Sequence, residues 1–140
     1  MRLEPLYRMT FDYPHGWSAT VTPGGTESEH LFLAEGRCEG RIAGSMQGVN
    51  HPRRRGDGTF CPDFHGAIST DDGATVLFHC GGYGRTDPPG ARQIVCWLTH
   101  LSDHPGYRWL NDGVCVGTGE VRPEQLFIDV AELIWEPAGS

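Results

Sequence analysis

The chain contains no lysine: all eleven of its basic residues are arginine, set against eighteen aspartates and glutamates. Without a side-chain amine there is no imine catalysis, no pyridoxal-phosphate anchor and no Walker A loop. The net charge of -7 repels phosphate backbones, which argues against nucleic acid as the main partner. The run Arg53-Arg54-Arg55, between His51-Pro52 and Gly56-Asp57-Gly58, reads as a solvated loop, with an anion clamp as its alternative. No apolar stretch approaches membrane length, and Leu3-Glu4-Pro5-Leu6-Tyr7 lacks the basic-then-apolar order of a secretory leader. A soluble, cytoplasmic protein without a membrane partner is expected. Cys38, Cys61, Cys80, Cys96 and Cys115 are odd in number, have no CxxC spacing and lie in strand-like runs, so they read as reduced thiols.

HxH and HExxH spacings are also missing, so no metal site and no cofactor is assigned. His51, His65, His79, His100 and His104 leave a metal-dependent enzyme as the minor alternative. Gly81-Gly82-Tyr83-Gly84 and Gly117-Thr118-Gly119 open no helix, which argues against a dinucleotide. No long amphipathic helix, internal repeat or low-complexity segment is found.

Twenty glycines and ten prolines punctuate short runs rich in Val, Ile, Phe, Tyr and Trp. That is how short antiparallel strands read. Leu3 to Tyr13 alternates as a half-buried strand, Pro14-His15-Gly16 reads as a turn, and a short strand from Ser18 to Val21 ends at Thr22-Pro23-Gly24-Gly25. His30 to Ala34 and Arg37 to Gln47 follow, interrupted at Glu35-Gly36 and Gly40. Gly84 to Gly90, with Asp87-Pro88-Pro89, reads as a loop at a pocket rim. Ala91 to Leu101 and Leu126 to Trp135 are apolar on both faces, as expected of strands covered on both sides. A homodimer or larger homo-oligomer would supply the outer cover. The expectation is one all-β domain over residues 1–140, a closed or nearly closed antiparallel barrel of about eight or nine strands.

Thr22-Pro23-Gly24-Gly25, Glu39-Gly40 followed by Gly44, Asp57-Gly58-Thr59, Thr70-Asp71-Asp72-Gly73-Ala74, Tyr107-Arg108-Trp109-Leu110-Asn111 and Gly117-Thr118-Gly119 stand in an order that resembles the DUF3237 family, a domain of unknown function. The resemblance runs nearly end to end. It implies an antiparallel β-barrel similar in outline to lipocalins and allene oxide cyclases, and no settled activity. This chain carries His65 where the family pattern has an arginine on the strand before the turn, and Thr99-His100-Leu101 near where an acidic residue is looked for. Such exchanges replace permanent charges with imidazoles that move protons near neutral pH, which favours an enzyme.

The candidate site lies in Thr59 to Tyr83. With Asp72-Gly73 as the two-residue loop of a type I′ hairpin, Ser69 pairs with Val76, Ala67 with Phe78, His65 with Cys80 and Asp63 with Gly82, all on one face. His79 then faces the other way. An acid, an imidazole and a thiol thereby share the polar end of an apolar pocket, with His65 and Asp63 as the acid–base pair; the alternative is a solvent-facing strand carrying two ordinary polar residues. Cys80 is either a thiol activated by His65 or a small buried hydrophobe. Tyr83, Phe78, Cys80, His79 and His100 are expected to contact a small-molecule ligand, and the resemblance adds Trp109 and Asn111. The expected function is proton-transfer chemistry by a cofactor-independent lyase, isomerase or cyclase on a small apolar substrate. A carrier that binds a similar ligand is the rival.

Overall fold

The computed structural model describes residues 1–86, 92–123 and 125–139. Its strands are β1 (Arg2–Thr20), β2 (Ser28–Gly40), β3 (Gly44–Asn50), β4 (Arg53–Arg54), β5 (Phe60–Cys61), β6 (Asp63–Thr70), β7 (Thr75–Arg85), β8 (Arg92–Leu101), β9 (Cys115–Val121) and β10 (Leu126–Ile134). β1 pairs with both β2 and β10, which closes eight antiparallel strands into a barrel in the order β1-β2-β3-β6-β7-β8-β9-β10. The two-residue strands β4 and β5 bridge β2 to β7 outside that ring. A single 3-10 turn, Arg108–Leu110, sits between β8 and β9, and the described residues contain no α-helix. No helix is long and apolar enough to cross a membrane.

Strand alternation decides which side chains enter the barrel. On β7, Val76, Phe78 and Cys80 are buried while Leu77 and His79 turn outward; on β8, Cys96, Leu98 and His100 are buried while Val95 and Trp97 turn outward. Each large apolar side chain so buried contributes about 1.5–3 kcal/mol. One end of the barrel is plugged by Ile42, from the β2–β3 turn, and Leu110, both fully buried against the core. The other end gathers the end of β1, the start of β2, β4, β5, the end of β7 and the starts of β8 and β10. That end is the mouth.

Several sequence expectations change. Pro14-His15-Gly16 is not a turn: β1 runs straight past it, and the proline lies in a bulge between Asp12 and His15 that interrupts the ladder to β2. Glu35-Gly36 does not break β2 either, and the turn to β3 falls between Gly40 and Gly44. Arg53 and Arg54 form a strand rather than a solvated loop, with Arg54 half-buried. The expected rim loop and strand start at residues 87–91 lie outside the described residues.

The largest correction is the β6–β7 register. Phe64 faces Cys80, His65 faces His79 and Ser69 faces Thr75, one residue away from the expected pairing. The loop has three residues, closed by Gly73 N–H to Thr70 O (3.1 Å) and Thr70 N–H to Ala74 O (2.9 Å). Within the loop only Gly73 has positive φ, +92°, so this is a type I turn followed by a glycine bulge, not type I′. The Asp72 carboxylate accepts hydrogen bonds from Thr70 Oγ1 (2.6 Å) and from the Tyr107 hydroxyl (2.8 Å), which hold it outside the left-handed region. Because side chains alternate, the single-residue slip moves Asp63 and His65 to the outer surface.

Candidate functional site

At the mouth lies a cavity of about 370 Å³, walled largely by Phe11, Phe32, Phe60, Phe64, Ile94 and Ile128. Cavities of this size suit small ligands. Its polar groups cluster on β1 and β2. Ser18 pairs directly with His30 across the two strands, and Ser28 stands two residues before His30 on the same face. The consequence is a short relay, with Ser18 Oγ 2.6 Å from His30 Nδ1 and Ser28 Oγ 2.9 Å from His30 Nε2. Burial first, and then the charges of Arg54 and Arg92, hold the His30 imidazole below its ordinary pKa, so it rests neutral.

His30 is stacked on Phe32 (centroids 5.5 Å apart, 13° between planes), and Phe32 on Tyr13 (4.6 Å, 19°). Three nearly parallel rings thus form one wall of a flat slot. The Tyr13 hydroxyl accepts a hydrogen bond from Asn50 Nδ2 (2.9 Å), and burial pushes its pKa up to about 12. Asn50 Oδ1 in turn accepts the Asp63 backbone N–H at 3.1 Å. The guanidinium groups of Arg92, which lines the cavity, and of Arg54, which does not, lie 4.9 and 5.0 Å from the centroid of Phe60. Neither has a carboxylate partner among the described residues, and Arg54 Nε is buried without a hydrogen bond. No aspartate or glutamate lines the cavity among those residues. Cationic charge with no counter-charge favours a ligand that carries an anionic oxygen.

Of the residues expected at the site, the structure brings only Cys80 to the cavity lining. Its thiol is pushed up, by the hydrogen bond with Cys96 and then by burial, which disfavours the thiolate. Phe78 points inward but is packed in the core toward the plugged end. His100 is buried there too, with Nε2 2.7 Å from the Tyr7 hydroxyl and Nδ1 3.8 Å from Cys115 Sγ, and burial lowers its pKa to about 4. Trp109 and Asn111 lie on the β8–β9 connection. There Asn111 staples Ser102 through its backbone N–H (2.8 Å) and carbonyl (2.9 Å), while Trp109 stacks under Arg41 at 4.7 Å. Tyr83 is exposed beneath Arg55.

His65 does not face the interior. It stacks on His79 outside the barrel, centroids 3.9 Å apart, and Asp63 Oδ1 lies 3.1 Å from Nε2 of each ring. Phe64 and Cys80, one position along the ladder, face the cavity instead. The sequence reading missed Ser18, Ser28, His30 and Arg92, and named Arg54 only within the alternative of an anion clamp. The Ser-x-His-x-Phe alternation at Ser28–Phe32 was the one available signal, since it places hydroxyl, imidazole and ring on one face.

An antiparallel barrel plugged at one end, with a ligand-sized cavity at the other, is the class that fold and site define. The chain belongs to the DUF3237 family of proteins of unknown function, whose profile matches residues 1–133. Solved structures share the fold at low identity, three of them as follows. A β-barrel-like protein from Acinetobacter baumannii is 22% identical with a TM-score of 0.84, covering 95% of this chain and 96% of that one. A protein of unknown function from Clostridium acetobutylicum is 19% identical with a TM-score of 0.85, covering 96% and 100%. An enzyme from Penicillium herquei is 21% identical with a TM-score of 0.71, covering 92% and 93%. Among curated proteins there is no match.

Proposed function

We propose that this protein binds a flat, largely apolar molecule bearing one acidic oxygen and performs cofactor-independent proton transfer on it, as a lyase, isomerase or cyclase. The observation that carries this reading is the neutral His30 held between Ser18 and Ser28 at the mouth of an apolar cavity. In one tautomer Nδ1 accepts the Ser18 O–H, and Ser18 Oγ is left with lone pairs toward the cavity. A substrate proton moves to Ser18 Oγ as the Ser18 proton moves to Nδ1, leaving imidazolium and an anionic substrate that Arg92 and Arg54 stabilise. In the other tautomer Nδ1–H donates to Ser18, whose own O–H then points at the ligand as an acid. The same dyad thereby serves both proton removal and return. That one neighbour of this fold is an enzyme supports the reading.

A carrier is the second reading, favoured by the fact that serine hydroxyls occupy both ring nitrogens. Two probes separate them. Binding of 2-naphthoate, followed by calorimetry, is expected to weaken in Arg92→Gln. Deuterium exchange at the α-carbon of 2-tetralone in D₂O, followed by proton NMR, is expected to be accelerated by the protein and to fall roughly 10²- to 10⁴-fold in His30→Gln. Naphthoate binding with no accelerated exchange selects the carrier. Five unpaired cysteines support a reducing, cytoplasmic location, and exposed Leu77, Val95, Trp97 and Leu101 on neighbouring β7 and β8 support a second copy covering that face.

A further inference from the structure

We propose that Asp63, His65 and His79 form a binding site for a single divalent transition-metal ion of the Zn²⁺ type on the outside of the barrel. His65 and His79 are direct cross-strand partners, and their rings stack 3.9 Å apart with only 14° between planes. Two parallel imidazoles on adjacent strands present their Nε2 atoms to the same point. Asp63 stands two residues before His65 on the same face of β6 and diagonal to His79, within reach across an antiparallel pair. Its Oδ1 lies 3.1 Å from both Nε2 atoms, and the three ligand atoms fall within 4.8 Å of one another.

The two separations from Asp63 match edges of a coordination polyhedron. Bonds of about 2.0–2.1 Å in tetrahedral geometry separate neighbouring ligand atoms by roughly 3.3 Å. The two 3.1 Å edges need only a few tenths of an ångström of movement, and all three side chains are substantially exposed and free to give it. Two imidazoles and one carboxylate make a borderline donor set, suited to Zn²⁺, Ni²⁺ or Cu²⁺ rather than to Mg²⁺ or Ca²⁺. No arginine pairs with Asp63 among the described residues, so its charge is available to the ion.

One neighbour shapes the site. Trp97 meets the His79 ring edge-on, centroids 4.9 Å apart, and its indole lies across Gly81, the residue opposite Asp63. A Cβ at position 81 would stand 2.5 Å from Trp97 Cζ2, so only glycine lets the indole lie there. Trp97 therefore fixes the His79 ring and stands close enough to report on a bound ion.

The competing account is a carboxylate that merely shares hydrogen bonds with the two imidazole rings. Titration of the full chain, dialysed against EDTA, with ZnCl₂ at pH 7.5 by calorimetry distinguishes them. The expected result is one ion per chain at micromolar concentration. Affinity should be reduced in His65→Gln, in His79→Gln and in Asp63→Asn by at least the roughly 10- to 100-fold that loss of an outer partner causes, and unchanged in His51→Gln and His104→Gln. Cu²⁺ should quench tryptophan fluorescence, with most of the quenched signal gone in Trp97→Phe. Circular dichroism confirms the fold of each variant, and 2-naphthoate binding, which reads the cavity on the other side of the wall, should persist in all of them. Stoichiometric binding that survives the His65→Gln/His79→Gln double variant, or no binding below millimolar Zn²⁺ in the parent chain, overturns the proposal.

Discussion

His30 and His100 are both kept neutral inside the molecule, and the two have opposite exposure to chemistry. His100 has its pKa lowered to about 4 from the ordinary 6.5 by burial, with Tyr7 and Cys115 at its nitrogens. The unfolded chain takes up this proton near pH 6.5 and the folded chain does not, so the associated stability is fully present above pH 6.5 and is lost as pH falls toward 4. The full difference corresponds to roughly 3 kcal/mol. Urea unfolding at pH 7.5 and pH 5 is expected to show this loss, and His100→Gln should flatten it. His30 also has a lowered pKa, so the acidic limb of a pH–rate profile in the cavity should fall off below pH 6.5 and vanish in His30→Gln. A limb centred above 6.5 would point to another base. These roles were not legible residue by residue. Nothing in the neighbourhood of His100 marks it as buried except the parity of its strand, and the Ser18 partner of His30 depends on the β1–β2 register, which a bulge between Asp12 and His15 shifts.

At the scale of elements, alternation carried the reading and loop chemistry limited it. The outward and inward sets of β7 follow from its apolar period, whereas β8 reads as apolar on both faces; the all-β barrel was legible from the many short strands and their turn residues. The β6–β7 register was not. Asp72-Gly73 suits a two-residue type I′ loop and equally a three-residue loop ending in a glycine bulge. What decides is Asp72 accepting from Tyr107, thirty-five residues away, a contact invisible at short range. Gly73 then carries the whole conformational demand at φ +92°, and a Cβ there would meet no atom within 4 Å. Gly73→Ala is expected to cost about 1–2 kcal/mol in urea unfolding through backbone strain alone, and Gly73→Asn visibly less. Equal costs for the two would mean that the loop relaxes.

For the whole molecule, the apolar outer face of β7 and β8 sets the expected assembly. Leu77 and Leu101 are paired neighbours pointing away from the core, and Val95 and Trp97 continue the patch. Sedimentation at micromolar concentration is expected to show a dimer, and Leu101→Glu a monomer of unchanged secondary structure; a monomeric parent chain would leave the patch without that role.

Closure of the barrel has a further consequence for how the molecule opens. Each of the eight barrel strands is hydrogen-bonded to a neighbour on both sides, so none can peel away without breaking two ladders. Amide protons of β7 and β8 should therefore exchange with solvent only through global unfolding, at rates that track the overall stability. β4 and β5 are two residues each and outside the ring, and they flank the mouth. Their amides are expected to exchange through small local openings. A ligand can then reach the cavity by loosening this rim alone, while the part of the molecule that holds the fold together stays shut.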